Sequence, residues 1–435
     1  MPPLPDETES TDSKAGRRQA PSSKLNFRST GFPIDGARES TSLVIGAGVI
    51  GLSIADELSR RGHQVTVLDR HDTARSTSWA ASGILPPCHL ETALDPLDRL
   101  RGYSHSFFAS KIASLHRETG IDSELRCRGG WYLACSAGEA AAMAGMVAYW
   151  KEQGIACESV ALDEIARREP ALGVFARTND RDRRPEDAMR EAGIRQAWFA
   201  PGECQIRPPR LLSALFRSCE ARGVQFVTNV DIQRVDDRDR SGVEVSDGER
   251  RWQAEQVVLA GGAATGLIEH RLRLQTSLVP IRGQILLKKA SRRLVDSVVN
   301  VGHRYVLCRD DGHVLIGSCE EEAGFDFATT PEVLSELDAF ACGLIPELAT
   351  APTLRSWAGL RPLTFDGFPM IGRVPDSAGI YVASGHFRSG IHFSLGTAKL
   401  IADQISGVPT EIDVTPFRVG KQQSHIDTAA RSAGG

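Results

Sequence analysis

The residues with the clearest chemical meaning are three glycines near the beginning of the chain. Gly46, Gly48 and Gly51 have the spacing G-x-G-x-x-G, directly after an apolar run at 43–45 and at the beginning of a helical pattern. This arrangement predicts that Gly46 allows a tight turn, Gly48 lets the backbone approach a pyrophosphate, and Gly51 lets the helix pack closely on the strand. The cofactor-binding turn is expected to comprise Gly46, Ala47, Gly48, Val49, Ile50 and Gly51.

A second strand pattern completes this dinucleotide-binding unit. The apolar run at 64–68 ends at Asp69, and Arg70 follows it. A carboxylate at the end of that strand is placed to accept hydrogen bonds from ribose hydroxyls. A lone G-x-G-x-x-G is weak evidence, but the strand before it, the helix after it and the acidic strand end together predict a βαβ fingerprint. Asp69 and Arg70 are therefore expected cofactor contacts.

Two further stretches of small residues favour FAD among the dinucleotides. The segment 76–85 is rich in serine and alanine, which would let a bulky cofactor pass close to the backbone. The apolar run at 256–260 ends in two glycines, a pattern typical of a sheet edge that meets the nucleotide of a flavoprotein; an ordinary buried strand and turn is the alternative. The contacts expected from these stretches are Ser78, Trp79, Ala80, Ser82, Gly83, Ile84, Gly261 and Gly262.

These residues need a sheet and helices to position them. Short β-branched runs alternate with helical patterns at 51–61 and 210–222, which predicts α/β connectivity. The segments 131–134, 279–289 and 303–318 instead indicate antiparallel strands joined by turns. The predicted fold class is α/β (α+β), with a discontinuous Rossmann-like FAD-binding domain and an inserted, mostly antiparallel β-sheet substrate domain.

Because the two architectures interleave, both domains are predicted to be discontinuous. A stretch at 177–191 is dense in charges of both signs and is interpreted as a solvated surface insertion. The boundaries we expect are 1–40 for a disordered tail, 41–124, 205–283 and 352–417 for the FAD-binding domain, 125–204 and 284–351 for the substrate domain, and 418–435 for a polar tail.

Charge and composition exclude several classes of function. The 435 residues include 51 basic and 55 acidic ones, a formal charge of −4, so nothing electrostatic favours a nucleic acid or an anionic membrane as partner. The longest charge-free stretch near the beginning, 40–55, is too short and too rich in glycine to cross a bilayer. With no apolar leader pattern at the N-terminus, a cytoplasmic location is expected.

The cysteines give no sign of a metal site or a disulfide framework. Nine of them stand at irregular intervals without a C-x-x-C pair. We therefore expect no metal ion, and reduced thiols that are mostly buried as small hydrophobic side chains.

The chain carries eight short motifs that together point to a known family. They are GAGVIG at 46–51, WAASGIL at 79–85, GGW at 129–131, PIRGQ at 280–284, GSCEE at 317–321, WAGLRP at 357–362, DGFPMIG at 366–372 and GHFRSGI at 385–391. In this order they resemble the FAD-dependent amine oxidoreductases of the D-amino-acid oxidase type, most closely the glycine oxidases of thiamine biosynthesis. The resemblance covers residues 42–407. It implies non-covalent FAD, because Pro362 and Leu363 occupy the stretch where sarcosine-oxidase relatives attach FAD through a cysteine.

The resemblance assigns roles to three residues of the antiparallel region. Arg361 follows the apolar residues of the WAGLRP motif, a setting that strengthens a bidentate pair with a carboxylate, and the resemblance implies that it binds the substrate carboxylate. His303 and Tyr305 alternate along one strand, and the resemblance implies that they line the pocket, with the Tyr305 hydroxyl reaching the carboxylate. The alternative for Arg361 is a structural arginine in an ion pair. Without the resemblance, Tyr305 would be interpreted as an ordinary strand aromatic and His303 as a polar edge residue.

The resemblance also implies contacts around the flavin ring. The glycine-rich loop 384–391 leads into a predicted helix at 394–405, whose N-terminus would face the electron-rich ring, with Arg388 nearby. Val230, in the strand pattern 227–230, corresponds to the position whose backbone holds the adenine. The remaining expected contacts are Arg361, Gly385, His386, Arg388, Ser389, Gly390 and Ile391.

One residue departs from the family pattern in a way that bears on the substrate. Glu320 stands where characterised glycine oxidases have an apolar methionine beside the substrate. A shift of one residue along the chain would turn it away from the pocket. If Glu320 faces the pocket, a small apolar substrate is in doubt.

The function expected from the resemblance is oxidation of glycine or a small amine by hydride transfer to the flavin. The imino acid would hydrolyse to glyoxylate and ammonia, with oxygen as the electron acceptor and hydrogen peroxide as its product, or the imine would pass to thiazole synthase. Three alternatives stay open: a D-amino-acid or sarcosine-type oxidase, a dehydrogenase with another acceptor, and a non-catalytic flavin-binding interaction protein. Relatives of this kind are often homo-oligomers, but the sequence does not reveal an interface.

Overall fold

Two eight-stranded sheets organise the described part of the chain, and each is assembled from separated stretches of sequence. The computed structural model describes residues 39–71, 76–172, 193–238, 242–268 and 278–420. The charged stretch predicted at 177–191 lies outside these residues, as do nearly all of the N-terminal tail and most of the C-terminal one.

The strands, in chain order, are β1 (Glu39–Ile45), β2 (Val65–Leu68), β3 (Ile84–Leu85), β4 (Gly130–Ala134), β5 (Glu158–Ser159), β6 (Gln196–Ala200), β7 (Cys204–Gln205), β8 (Gln225–Val227), β9 (Arg234–Asp237), β10 (Val243–Ser246), β11 (Arg251–Leu259), β12 (Leu278–Lys289), β13 (Val298–Val301), β14 (Arg304–Cys308), β15 (His313–Gly317), β16 (Thr353–Thr364), β17 (Met370–Arg373) and β18 (Ile380–Ser384). The α-helices are α1 (Val49–Arg60), α2 (Thr77–Ala80), α3 (Pro96–Ser106), α4 (Phe108–Thr119), α5 (Ala137–Glu152), α6 (Leu162–Arg168), α7 (Pro208–Ala221), α8 (Pro331–Leu344) and α9 (Gly390–Ile405).

The first sheet is the predicted nucleotide-binding scaffold. Its strands run in the order β17, β18, β11, β1, β2 and β8, and the pairs that involve β1, β2 and β8 are parallel. β10 and β9 extend it by antiparallel pairing onto β11. Helices α1, α3, α4, α7 and α9 cover one face with an apolar core, and a second apolar cluster fills the other face. Burial on both faces explains why these strands are almost uniformly apolar.

The second sheet is mostly antiparallel, as the sequence predicts. Its order is β16, β12, β15, β14, β13, β4, β6 and β5. One pairing, β13 with β4, is parallel. β12 crosses the predicted domain boundary at 283, whereas β16 begins just after the predicted boundary at 352, and the two strands pair with each other over nearly their whole length in this sheet. A boundary drawn by sheet membership would therefore place both strands in the second unit.

Local sequence signals account for several helix ends. Pro96 opens α3, and the Asp95 carboxylate accepts hydrogen bonds from the amides of the first turn. α5 begins with a capping box between Ser136 and Glu139. α4 ends at Gly120, which adopts a left-handed backbone conformation. These ends follow from residue chemistry rather than from tertiary contacts.

Three predicted element positions need correction. β1 begins at Glu39, inside the predicted tail. Val230 lies three residues beyond the end of β8 instead of within a strand. The last helix begins at Gly390 rather than 394, so Gly390 and Ile391 belong to its first turn.

The expectation of reduced thiols is wrong for one pair of cysteines. A disulfide joins Cys127 and Cys204, which adjoin an isolated antiparallel bridge between Arg126 and Gln205. The bridge brings together two cysteines that are 77 residues apart, a relationship that local spacing does not reveal. The other seven cysteines are free thiols, all buried or partly buried. Within the described residues, no helix is both long and apolar enough to cross a membrane.

Candidate active site

A cavity of about 530 Å³ lies where the two sheets meet. Its walls come from the turns that follow β1, β2, β11 and β18, at the carboxyl edge of the first sheet, and from β12, β14 and β16 of the second. Most of the predicted site residues line it: Gly46, Gly48, Val49, Ile50, Asp69, Arg70, Ser78, Ala80, Ser82, Ile84, Val230, Gly261, Gly262, His303, Tyr305, Arg361, His386, Arg388, Ser389, Gly390 and Ile391. Six predicted residues do not line it: Ala47, Gly51, Trp79, Gly83, Gly385 and Glu320.

The glycine turn is packed too closely for side chains at two of its three glycines. Gly46 has φ +111°, and a Cβ there would lie 2.6 Å from the carbonyl oxygen of Ala260. A Cβ on Gly51 would lie 1.8 Å from the carbonyl oxygen of Gly46. Gly48 precedes the first turn of α1 at the cavity wall. The backbone and the positive end of the helix dipole are therefore open to an anionic group.

Arg361 is a half-buried cation on the cavity wall. Its Nη2 donates to the Ser318 hydroxyl over 2.6 Å, and its Nη1 donates to the Cys319 carbonyl oxygen over 3.1 Å. Among the ion pairs of the described residues, none involves Arg361. Burial lowers the pKa of Arg361, although a guanidinium stays charged in proteins. An uncompensated guanidinium beside a cavity is suited to bind a carboxylate.

Tyr305 stands beside Arg361 on the same face of the second sheet. Tyr305 pairs with Gly317 on β15, Gly317 pairs with Ile285 on β12, and Ile285 pairs with Trp357 on β16. Arg361 is four residues after Trp357 on the same strand, so the two side chains project to the same face of the sheet. Paired residues project to the same face of a sheet. Gly317 leaves room for the phenol, because a Cβ there would lie 2.3 Å from the Tyr305 hydroxyl oxygen.

The Tyr305 phenol is neutral, so its hydroxyl can donate a hydrogen bond to a ligand. Burial raises its pKa, while the Ser82 side chain and the positive charge of Arg361 act in the opposite direction. Together, Tyr305 and Arg361 present a hydroxyl and a guanidinium to the same region of the cavity. Both groups donate to carboxylate oxygens.

Comparisons with known proteins identify the family to which the chain belongs. A family model described as FAD dependent oxidoreductase matches residues 42–404. The chain belongs to this family. A glycine oxidase of Pseudomonas aeruginosa is 32% identical over 86% of this chain and 97% of its own length. The crystal structure of glycine oxidase from Geobacillus kaustophilus superposes with a TM-score of 0.80 at 26% identity, covering 88% of this chain and 99% of that one.

A third relative joins two activities in one chain. The bifunctional protein ThiO/ThiG of Trichormus variabilis is 28% identical over 89% of this chain and 56% of its own length. The protein described here is an FAD-dependent oxidoreductase that acts on CH–NH groups, with the mixed α/β fold of its family.

The residues around the glycine turn fit FAD. The Asp69 carboxylate accepts hydrogen bonds from the backbone amides of Ala47, over 2.6 Å, and His71, over 2.9 Å. The Ser78 hydroxyl accepts from the Val49 amide over 3.0 Å, which joins segment 76–85 to the beginning of α1. Gly48 lines the cavity directly before the first turn of α1, a position that suits a pyrophosphate. No cysteine of the described residues lines the cavity.

The nucleotide end of the cavity is bounded by segment 229–232. The Val230 amide donates to the Asp69 carbonyl oxygen over 3.0 Å, so this amide is already engaged with the first sheet. Arg70 pairs with Asp231 over 3.0 Å. These contacts hold Val230 beside Asp69, where the resemblance expects the adenine and ribose.

The loop before α9 forms the opposite wall. His386 is buried, and one of its ring nitrogens is 3.0 Å from the Thr397 hydroxyl. Burial lowers its pKa to about 3, so the ring is neutral at physiological pH. Gly390 and Ile391 lie in the first turn of α9 and place the positive end of that helix at the cavity.

Arg388 and Glu320 form an ion pair at the edge of the cavity. Arg388 Nε donates to Glu320 Oε1 over 2.6 Å, and Arg388 Nη2 contacts the same oxygen over 2.5 Å. Arg388 lines the cavity whereas Glu320 does not, so the carboxylate approaches Arg388 from outside. The alternative in which Glu320 turns away from the pocket is the observed one.

Two other predicted residues have structural surroundings that the sequence does not reveal. Trp79 packs edge-on against Trp357, whose indole nitrogen donates to the Ala80 carbonyl oxygen. His303 lines the cavity but is exposed and precedes β14, so it does not share the strand with Tyr305.

Sequence reasoning missed several polar and aromatic lining residues. Ser318 binds Arg361, and Asn300 is the register partner of Tyr305 on the same face. Asn300 donates to the buried Glu203 carboxyl over 3.0 Å. Phe325 and Phe327 line the cavity although each is more than a third exposed. The GSCEE motif was the available signal for Ser318, but no local pattern marks Asn300.

One cluster near the cavity consists of residue types that can bind a metal ion, but its surroundings do not favour a cation. Among the described residues, Cys88, His105 and His392 are the one group of three or more His, Cys, Asp or Glu residues whose ligand atoms all lie within 4.8 Å of one another. His105 Nδ1 and His392 Nε2 are 3.0 Å apart, and burial lowers the pKa of both rings. The positive charge of Arg101 acts on both Cys88 and His392, which opposes a cation. We assign the pair of neutral imidazoles a packing role.

Proposed function

We propose that this protein catalyses the oxidative deamination of glycine or a similarly small amino acid. The observation that carries the proposal is Arg361, a half-buried guanidinium without a carboxylate partner among the described residues, next to the Tyr305 hydroxyl on the wall of an FAD-binding cavity. A substrate carboxylate would complete the hydrogen bonding of both side chains. The resemblance to glycine oxidases supports a small substrate.

The protein's contribution to the reaction is position and electrostatics. Bound FAD supplies the two-electron acceptor. Arg361 holds the carboxylate and Tyr305 donates to one of its oxygens, which restricts the orientation of the α-carbon. The net reaction consumes glycine, oxygen and water and yields glyoxylate, ammonia and hydrogen peroxide. Nothing in the cavity is assigned as a general base, so the amine must enter the reaction unprotonated.

A role in thiamine biosynthesis is part of the proposal. The joining of two activities in the ThiO/ThiG relative supports transfer of the imine to a thiazole synthase. In that case hydrolysis of the imine would be the side reaction.

The test is anaerobic reduction of the flavin. Purified holoprotein is mixed with glycine, sarcosine or D-alanine, and the loss of the oxidised flavin spectrum is followed. Bleaching by glycine at the lowest concentration supports the proposal. Preferential bleaching by D-alanine or sarcosine would replace glycine with the other substrate class, and a peroxide yield far below the substrate consumed would indicate an acceptor other than oxygen.

A further inference from the structure

The two guanidinium groups at the substrate end of the cavity have different partners. Arg361 donates to a hydroxyl and to a carbonyl oxygen, both of them neutral. Arg388 donates to the carboxylate of Glu320 through two nitrogens. Of these two guanidinium groups, Arg388 is paired with a carboxylate and Arg361 has only neutral hydrogen-bond partners.

The other charged groups nearby do not change this difference. Arg304 also lines the cavity, but its guanidinium stacks on Phe340, with 5.0 Å between the guanidinium carbon and the ring centre. Glu321, next to Glu320, pairs with Arg282 over 3.1 Å. Arg309 is buried behind the cavity wall, where it donates to Gln205 and to the Ser82 carbonyl oxygen.

The ion pair is accessible enough to affect ligands. The side chains of Arg388 and Glu320 are 46% and 38% exposed. A carboxylate brought to the cavity face of Arg388 would lie close to the Glu320 carboxylate, since both would contact the same guanidinium. Like charges placed side by side at a binding interface weaken binding.

We propose that Glu320 is a specificity-determining residue that restricts the cavity to amines with a single carboxylate. It neutralises Arg388, so that Arg361 alone binds an acidic group, and it repels a second carboxylate on the substrate. The inference deepens the proposed function and rests on it for the identity of the reacting amine. Because Glu320 pairs with Arg388 and does not line the cavity, an acidic residue at this position is compatible with a substrate whose Cα substituent is small and uncharged.

Turnover tests the proposal with two substrates that differ by one carboxylate. Sarcosine and N-(carboxymethyl)glycine are compared in the wild-type protein, in Glu320→Gln and in Glu322→Gln. Glu322 is exposed and two residues away, so its substitution removes the same charge without touching Arg388. We expect the ratio of kcat/KM for N-(carboxymethyl)glycine to that for sarcosine to rise at least about tenfold in Glu320→Gln and to stay constant in Glu322→Gln. An unchanged ratio, or an equal rise in both variants, would overturn the proposal.

A binding experiment separates this inference from the proposed reaction. Acetate and malonate are titrated into the three holoproteins, and binding is followed through the shift of the flavin spectrum. The ratio of the malonate Kd to the acetate Kd should fall about tenfold in Glu320→Gln alone. If it falls while no amine reduces the flavin, Glu320 selects ligands as proposed and the proposed reaction is wrong. If amines reduce the flavin and the ratio does not change, the reaction stands and the role of Glu320 is rejected.

Discussion

The guanidinium of Arg361 lies directly over the α-carbon of Gly283. A Cβ added to Gly283 would lie 2.2 Å from Arg361 Nη2 and 2.4 Å from its Cζ. Gly283 pairs with Gly359 across β12 and β16, but the space at Gly359 is taken by Ala80 and Thr77 of α2, so only Gly283 of this pair makes room for the guanidinium. The PIRGQ motif thus contributes to the site by leaving space for a residue 78 positions further along the chain.

Gly283→Ala should displace Arg361 without removing it. The methyl group and the guanidinium cannot occupy the same place, so the carboxylate-binding geometry is lost while the charge remains. We expect KM for glycine to rise about tenfold or more, since a charge-assisted hydrogen bond contributes about 1.5–3 kcal/mol. Steady-state kinetics measure this. In the matched variant Gly343→Ala, the new methyl group meets no atom within 4 Å, and kinetics equal to those of Gly283→Ala would contradict the steric explanation.

Arg361→Ala should abolish efficient turnover while FAD stays bound. The guanidinium contacts Ser318 and the Cys319 backbone rather than the glycine turn, so cofactor binding does not depend on it. We expect kcat/KM to fall about a hundredfold, with an unchanged flavin spectrum. Arg361→Lys should recover only part of the loss, because an ammonium cannot bind a carboxylate through a planar fork. Wild-type turnover in Arg361→Ala would remove Arg361 from the substrate site.

Tyr305→Phe should weaken substrate binding without changing the alkaline side of the pH profile. Burial raises the pKa of the Tyr305 phenol above its ordinary value of 10, so the hydroxyl remains protonated wherever the enzyme is assayed. Loss of one hydrogen bond to a carboxylate should raise KM about tenfold. The rise of kcat/KM with pH should persist, because it reports deprotonation of the substrate amine. A profile that loses this rise in Tyr305→Phe would assign the ionisation to Tyr305 instead.

Gly51→Ala should impair FAD binding. A methyl group at this position collides with the Gly46 carbonyl oxygen and forces α1 away from β1, which disrupts the turn that would hold the pyrophosphate. We expect a substoichiometric ratio of FAD to protein, measured by absorbance, and a lower Tm. Gly145→Ala, on α5 with no atom within 4 Å of the new methyl, should retain full FAD. Full FAD content in Gly51→Ala would contradict this packing argument.

Glu203 should make the protein less stable as pH rises through the weakly acidic range. Burial raises the pKa of this carboxyl from 4.5 to about 7, with the Tyr132 and Asn300 hydrogen bonds acting in the opposite direction. The folded protein then holds a proton that the unfolded chain releases above its ordinary pKa. The free energy of unfolding should therefore decrease between about pH 4.5 and 7, by about 3 kcal/mol. Beyond that interval this contribution is constant.

Glu203→Gln tests this pH dependence. The amide is uncharged and has the shape of the protonated carboxyl, so it can replace it beside Tyr132 and Asn300. Chemical denaturation between pH 5 and 7.5 should show a flatter stability profile than the wild type. Parallel profiles for the two proteins would show that Glu203 is not the group that titrates.

The nucleotide-binding half of the site was predictable because its chemistry is local. The spacing of Gly46, Gly48 and Gly51 identifies the turn. The position of Asp69 at the end of the next strand identifies it as a candidate cofactor contact. The family motifs placed Arg361 and Tyr305 in the same cavity through the resemblance. Even here, Ala47 and Gly51 serve packing and backbone hydrogen bonding rather than lining the cavity.

The sequence by itself determined the cofactor, the mixed α/β class and the family, since short motifs in a fixed order carry all three. Only the tertiary structure decided that Glu320 pairs with Arg388, that Gly283 makes room for Arg361, and that Cys127 meets Cys204. Each of these pairs joins residues separated by 68 to 78 positions. Their contacts depend on how distant segments of the chain meet in space. For Arg361, a one-residue change in the register of β16 would turn the side chain to the opposite face.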